Sequence, residues 1–386
     1  MRSPYIPYGK QFIADEDIAA VVEALRSDWL TTGPRVEEFE RAFAKTVGAQ
    51  EAVSVSSGTA ALHAAVFAAG IGPGNEVIVP AMTFAASANC VVFQGGTPVF
   101  ADVDPETLLI DVDSAASRIT AKTKAILAVD YAGQPCDYDA LRALADARGL
   151  SLIADGCHSL GGRYHDRPVG GLADLTAFSF HPVKHITTGE GGMISTDRPE
   201  LATRMREFRN HGITTDSRQR EKQGSWYYEM VSLGFNYRLT DFQCALGIAQ
   251  LRRLADWVRE RQDLARRYDA AFSPETGIHP LRTAPGVAHA RHLYVVRVDA
   301  DRGGVFRSLR ENGIGVNVHY IPVHLHPYYR SRFGTGPGLC PVAEDAYEKI
   351  LSLPMFPGLT DDDSEEVIRS VRKAVDARRV PVSSRG

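Results

Sequence analysis

Six short apolar runs between residues 76 and 195 constrain the fold of this chain more than any other feature. They are Glu76–Val79, Val99–Ala101, Ala125–Val129, Leu152–Ala154, Leu175–Phe180 and Met193–Ser195. Each is too short for a helix and reads as a strand buried on both faces. Helical stretches separate several of them, such as Asp137–Arg148, which carries Leu141 and Leu144 on one side. Buried strands alternating with helices predict an α/β fold built on a mostly parallel sheet. In such sheets ligands sit beyond the C-terminal ends of the strands.

Two helices are expected ahead of the sheet. The first follows Asp15-Glu16-Asp17 and places Ile18, Val21, Val22 and Leu25 at helical spacing. The second starts at Gly33-Pro34, carries Val36, Phe39, Phe43 and Val47 as its apolar stripe, and ends at Gly48. Residues 240–272 hold no proline and one glycine, Gly247, and so predict one helix of about 50 Å or two end to end. Leu293–Val298, Val305–Asn312 and Ile314–His319 then read as strand, helix, strand. A closing helix starts at Thr360 with Asp361–Asp363 and carries Val367, Ile368 and Val371 as its apolar stripe. The expected division is a large domain over residues 1–250 and a smaller C-terminal α/β domain over 251–386. The polar tail Val380–Gly386 is expected to fray.

Composition removes several classes of function. The formal charge of −4 is spread over interspersed acidic and basic residues, which leaves no basic surface for nucleic acid or an anionic membrane. Met1–Lys10 lacks the basic-then-apolar pattern of a signal peptide, and no apolar run is long enough to span a bilayer, so a cytoplasmic place is expected. Five scattered cysteines form no CxxC pair and suit neither a disulfide framework nor a zinc site. His319, His324 and His326, among Pro322 and Pro327, match no standard zinc spacing and read better as a substrate-contacting loop. No metal is expected.

Three features suggest chemistry. Lys184 stands between an apolar run and the glycine-rich Gly189-Glu190-Gly191-Gly192, at the mouth of the sheet. An amine partly desolvated there has a lowered pKa and can form a Schiff base with an aldehyde. The plainer reading is a solvated loop lysine. Ser56-Ser57-Gly58-Thr59 opens an alanine-rich helix whose free N–H groups suit a phosphate, although a serine N-cap alone would explain it. Asp155 ends Leu152-Ile153-Ala154, either as a desolvated carboxylate awaiting a cation or as the cap of the Gly156-Cys157-His158 turn. Taken together, the cradle, the carboxylate and the lysine meet the needs of pyridoxal 5′-phosphate.

With these three in order, the chain resembles the fold-type I pyridoxal-phosphate aminotransferases acting on nucleotide-linked keto-sugars, the DegT/DnrJ/EryC1/StrS family. The likeness runs from Trp29-Leu30-Thr31-Thr32-Gly33-Pro34, through Pro80–Phe84, Asp155–Gly161 and the lysine segment, to Gly234-Phe235-Asn236-Tyr237-Arg238. It implies a large domain with a mostly parallel seven-stranded sheet, a smaller C-terminal α/β domain, and a homodimer with shared active sites. It further implies that Lys184 bonds the cofactor, Asp155 pairs with its ring nitrogen, and His158 approaches its phenolate oxygen. Phe84 would stack on the ring. Ser57, Gly58, Thr59 and Ser179 would hold the phosphate, with Asn236 reaching across from the second subunit.

Val129-Asp130-Tyr131-Ala132-Gly133, the segment Ser179–Gly192 and Val318–His324 resemble the branch that aminates UDP-linked 4-keto-6-deoxy-N-acetylhexosamines in pseudaminic acid synthesis. Substrate contacts implied by that likeness are Tyr8, Asp28, Trp29, Leu30, Thr31, Ser57, Val318, His319, Tyr320 and Ile321, with L-glutamate as amino donor. Arg238 would bind the donor carboxylate or the diphosphate, or serve an interface salt bridge. Trp226-Tyr227-Tyr228 would fill the dimer interface or line the sugar pocket. A branch with histidine in place of the lysine dehydrates its sugar instead, and Lys184 argues against it. Two rivals stay open, a UDP-4-keto-pentose or GDP-4-keto-6-deoxymannose as substrate, and a cofactor-binding regulator.

Overall fold

In the computed structural model, which describes residues 5–379, seven strands make one mixed sheet. Five come first, β1 (Glu51–Val55), β2 (Glu76–Pro80), β3 (Thr97–Ala101), β4 (Thr123–Val129) and β5 (Ser151–Asp155). A two-residue pair, β6 (Arg163–Tyr164) and β7 (Arg167–Pro168), precedes β8 (Leu175–Ser179) and β9 (Gly192–Thr196). The sheet order is β1-β9-β8-β5-β4-β2-β3. Strands β3, β2, β4, β5 and β8 run parallel, and β9 is antiparallel to β8 and β1. All six apolar runs are strands of this sheet. Sequence reasoning missed β1, whose Glu51 and Ser54 interrupt its apolar character.

Helix α1 (Asp15–Arg26), α2 (Pro34–Val47) and α3 (Gly58–Ala68) precede β2. The stripe of α2 is core: Phe43 is fully buried, its ring 5.1 Å from that of Phe178 and 5.6 Å from that of Phe180. Gly48 takes the left-handed conformation that ends this helix, with φ 67°. Almost every residue of α3 is buried, which its alanine-rich, apolar circumference permits.

The helix expected after Asp15-Glu16-Asp17 forms as α1, and its apolar stripe faces outward. Ile18, Val22 and Leu25 are exposed, while Asp17 and Ala24 are buried. Asp17 turns inward because it is bonded on every side. Its carboxylate accepts from Ala14 N at 2.8 Å, Gln250 Nε2 at 2.7 Å and Arg253 Nη2 at 2.5 Å. Removing it takes one partner from the buried Gln250 amide and one from the Arg253 guanidinium, and leaves the N–H of Ala14 without its carboxylate. Asp17→Ala should therefore cost about 3 kcal/mol, read from urea unfolding against the native protein.

The 240–272 stretch is two helices, Asp241–Leu251 and Leu254–Ala271, broken at Arg252 and Arg253. After it come β10 (Ile278–Pro280), β11 (Val287–Ala288), β12 (Tyr294–Val298), a helix Arg302–Glu311 and β13 (Ile350–Leu353). β11 pairs with β6, and β10, β12 and β13 form a separate antiparallel sheet. Ile314–His319 is not a strand, contrary to expectation. It makes only isolated bridges, Ile314 to Ile6 and Asn317 to Ser352, and the third strand is β13 instead. Thr360 caps the closing helix Asp361–Asp376, its hydroxyl accepting from Asp363 N at 3.1 Å.

Two apolar cores result. One covers both faces of the large sheet and takes in Leu251, Leu254, Trp257, Val258, Val323 and Tyr329. The other joins Ile6, Leu264, Tyr268 and Tyr294 to the closing helix through Val367 and Val371. No helix among the described residues is long and apolar enough to cross a membrane. The tail Val380–Gly386 lies outside the described residues.

Candidate active site

The C-terminal ends of the strands open on a cavity of about 680 Å³. Asp155 ends β5, Ser179 ends β8 and Val129 ends β4, so the sheet itself delivers them to one crevice. Tyr8, Ser57, Gly58, Thr59, Phe84, His158, Lys184, Val318, His319 and Tyr320 line the same space.

One part of its lining is the start of α3. Ser57 accepts from Ala60 N at 3.1 Å through its hydroxyl and from Ala61 N at 3.0 Å through its carbonyl. The N–H groups of Gly58 and Thr59 lack intrahelical partners and remain for a ligand, at the positive end of the helix dipole. Gly58 is required here, because a Cβ would stand 2.7 Å from Ser179 Cβ. The serine cap and free N–H groups suited to an anion thus coexist at one helix end.

Asp155 caps the turn foreseen for it and is also buried and hydrogen-bonded. Its Oδ1 accepts from Cys157 N at 3.2 Å, capping the turn, and its Oδ2 accepts from Ser87 Oγ at 2.7 Å. Thr83 Oγ1 lies 2.7 Å from that Ser87 hydroxyl. The carboxylate is buried and has no ion-pair partner among the described residues. A buried carboxylate that faces a cavity and is not ion-paired suits a protonated ring nitrogen.

Lys184 is half-buried, and burial lowers its pKa, with Cys157 and Asp155 opposing that shift. Its Nζ stands 3.4 Å from His292 Nε2. Burial, followed by the nearby lysine charge, also holds His158 and His292 well below the usual histidine range, and His319 at about 4. His185 is lowered to about 3 by burial and Arg261. These rings are neutral at pH 7. His158 Nε2 meets Tyr320 OH at 3.1 Å, while its buried Nδ1 has no partner. Tyr131 OH donates to His319 O, and His319 Nδ1 lies 2.8 Å from Ser352 Oγ.

Beneath the cavity, Asp130 is fully buried and accepts from Ser159 Oγ at 2.5 Å, Cys136 N at 2.9 Å and Tyr138 OH at 2.9 Å. Burial raises its pKa from 3.8 to about 6 despite these bonds. The folded state therefore holds this proton where the unfolded chain has released it. Its contribution to stability is complete below pH 4 and is lost as pH rises through 6. Relative to Asp130→Asn, the native protein should lose about 3 kcal/mol across that window, checked by urea unfolding of both at each pH.

Other expected site residues lie outside this cavity. Asp28, Trp29, Leu30 and Thr31 follow α1, where Leu30 O accepts from Asp241 N at 3.0 Å and Thr31 bridges Thr240. Ile321 is exposed just beyond Tyr320. Asn236 bridges Asn210, and Arg238 donates to Asn210 Oδ1 at 2.7 Å in a separate hollow with Arg206 and Arg209. Trp226, Tyr227 and Tyr228 are exposed. The three loop histidines part ways: His319 lines the cavity, His324 is buried against Glu344 at 2.8 Å, and His326 precedes the helix Pro327–Phe333. The five cysteines are free thiols, all buried except the half-buried Cys157.

Sequence reasoning missed Ser87 and His292. Each stands far along the chain from its partner, Ser87 by 68 residues and His292 by 108. Neither sits in a pattern that signals proximity.

The sequence profile of the DegT/DnrJ/EryC1/StrS aminotransferase family matches residues 11–372. The spore coat polysaccharide biosynthesis protein SpsC of Bacillus subtilis (strain 168) is 44% identical over 381 residues, 97% of this chain and 98% of that protein. Spr1654 of Streptococcus pneumoniae, solved in PLP and PMP forms, superposes with TM-scores of 0.91 and 0.92. In its PMP form it is 33% identical, over 96% of this chain and 99% of that one. Helicobacter pylori PseC, an aminotransferase of pseudaminic acid biosynthesis, gives a TM-score of 0.90 and 32% identity over 97% of this chain and 100% of its own. The chain belongs to the DegT/DnrJ/EryC1/StrS aminotransferase family, whose cofactor is pyridoxal 5′-phosphate.

Proposed function

We propose that the chain moves an amino group from L-glutamate to C4 of a UDP-linked 4-keto-6-deoxy-N-acetylhexosamine, giving UDP-4-amino-4,6-dideoxy-N-acetyl-β-L-altrosamine. The observation that carries the reading is one lysine of lowered pKa in a cavity walled on one side by Val318, His319 and Tyr320. Similarity to PseC over nearly the whole chain supports the sugar assignment.

Pyridoxal 5′-phosphate supplies an aldehyde that carries the amino group and a protonated ring that accepts the electron pair of the broken C–H bond. Lys184 is the residue proposed to hold it. Once displaced by the donor, its free amine takes a proton from the donor Cα and later delivers one to C4 of the sugar. Asp155 keeps the ring nitrogen protonated, and Ser87 in turn fixes that carboxylate. The N–H groups of Gly58 and Thr59, with Ser57 and Ser179, hold the phosphate. Phe84 covers one ring face, and His158 lies near the phenolate side. Tyr8, Val318, His319 and Tyr320 enclose the sugar.

A second copy completes this arrangement. Among the described residues no arginine lines the cavity, although a diphosphate and a dicarboxylate must both be bound there. Asn236, Arg238, Asp28–Thr31 and Ile321 are proposed to serve the partner's cavity. Large apolar side chains exposed nearby, among them Ile18, Leu25, Trp226, Met230 and Leu233, fit a homodimer interface. The division into parts 1–250 and 251–386 is proposed along with it.

Identity to SpsC at 44% exceeds that to PseC at 32%, which favours another nucleotide-linked 4-keto-sugar as the second reading. Glutamate with each of UDP-4-keto-6-deoxy-N-acetylhexosamine, UDP-4-keto-pentose and GDP-4-keto-6-deoxymannose separates the two. Mass spectrometry and NMR should find a 4-amino product from the first. A product from either of the others alone would replace the proposed substrate. Binding of cofactor with no half-reaction on glutamate would make the chain a regulator.

A further inference from the structure

The Lys184 amine lies within hydrogen-bonding reach of His292, which enters from the segment just before β12. Its backbone is anchored on three sides. His292 O accepts from Arg261 Nη1 at 3.4 Å, and the next residue, Leu293, donates to Ala132 O at 3.1 Å. At Gly133 a Cβ would stand 2.9 Å from His292 N, so only glycine lets the two segments approach. The ring is buried, with His158 at 4.4 Å and His185 at 5.7 Å between centroids. This is a rigid mount for one polar atom.

A neutral imidazole carries a single N–H. His292 Nδ1 is buried without a partner, and Nε2 faces Lys184 at 3.4 Å. A buried N–H with no acceptor is the costlier defect, so the proton belongs on Nε2 and points at the lysine nitrogen. That nitrogen can accept only as the free base. We propose that His292 is a positioning residue, holding the Lys184 amine unprotonated and aligned whenever it is off the cofactor. The inference rests on the reading of Lys184 as proton carrier.

Other titratable groups face the same pair. Asp155 and Cys157 come from the end of β5 and the turn after it, and His185 adjoins the lysine. Arg261 comes from the helix Leu254–Ala271, and His158 and His319 from opposite walls. Asp155 and Cys157 favour a protonated lysine, whereas Arg261 favours the free base. His292 adds a directed contact that none of these supplies.

The test uses protein loaded with pyridoxamine 5′-phosphate, in which Lys184 is unbonded. Acetic anhydride labelling of Lys184 across pH, read by peptide mass spectrometry, reports its protonation. In His292→Ala the labelling midpoint should rise by about one pH unit, a tenfold loss of free base at neutral pH, and fall back when imidazole is added. His292→Gln, with an amide N–H near the Nε2 position, should keep the native midpoint. Single-turnover amination from glutamate should slow about 10²-fold in the alanine variant with little change in KM.

A midpoint unmoved in His292→Ala would overturn the proposal. So would a shift that imidazole fails to reverse and that His292→Gln shares, because packing alone would then explain it. If the alanine variant does not fold, His292→Gln against the shorter His292→Asn makes the same distinction. Borohydride trapping on Lys184 of the native holoenzyme tests the cofactor assignment separately. Its absence would sink that assignment and leave the labelling result to judge His292.

Discussion

Lys184→Ala should lose turnover by at least about 10⁴-fold and lose the visible absorbance of the bound cofactor. Among the described residues no other lysine lines the cavity, so none there could take over the roles proposed for Lys184. The flanking histidines that are held neutral lack an amine. Lys184→Arg should be as inactive, because a guanidinium stays protonated and makes no imine. Borohydride reduction of native protein should leave a pyridoxyl adduct on the peptide containing residue 184. An alanine variant that stays yellow and consumes glutamate would refute the role.

Asp155→Asn should follow with a loss of about 10²- to 10³-fold in turnover while folding normally. The amide keeps the shape of the carboxylate, and its oxygen can still accept from Ser87 or from Cys157 N, so the capped turn survives. What it removes is the charge that keeps the ring nitrogen protonated, a pairing worth about 1–3 pKa units. Comparing melting temperatures with rates separates the two roles of this residue. Rates near native in a well-folded variant would show that the charge does no chemical work.

Family membership gives both tests their context and narrows the chemistry without choosing the sugar. Val318, His319 and Tyr320, proposed to face the sugar, form one wall of the cavity within one copy. Residues proposed to reach it from a second copy, such as Arg238, now hold local partners like Asn210.

Much of this architecture was legible in the order of residues alone. Buried strands announce themselves as unbroken apolar runs, because a parallel sheet covered on both faces tolerates little else, and all six such runs proved to be strands. Lys184, Asp155 and Ser57 were legible for a related reason. Strand ends and helix starts are local features, and the topology of an α/β sheet brings those ends together at one edge. Only tertiary structure decided the rest. It turned Asp17 inward and the apolar face of α1 outward, because hydrogen bonds from Gln250 and Arg253 outweigh a periodicity that merely records which side chains are alike. It also set Ser87 against Asp155 and His292 against Lys184. Such pairs depend on how distant segments cross in space, and a linear pattern of residue types holds no record of that crossing.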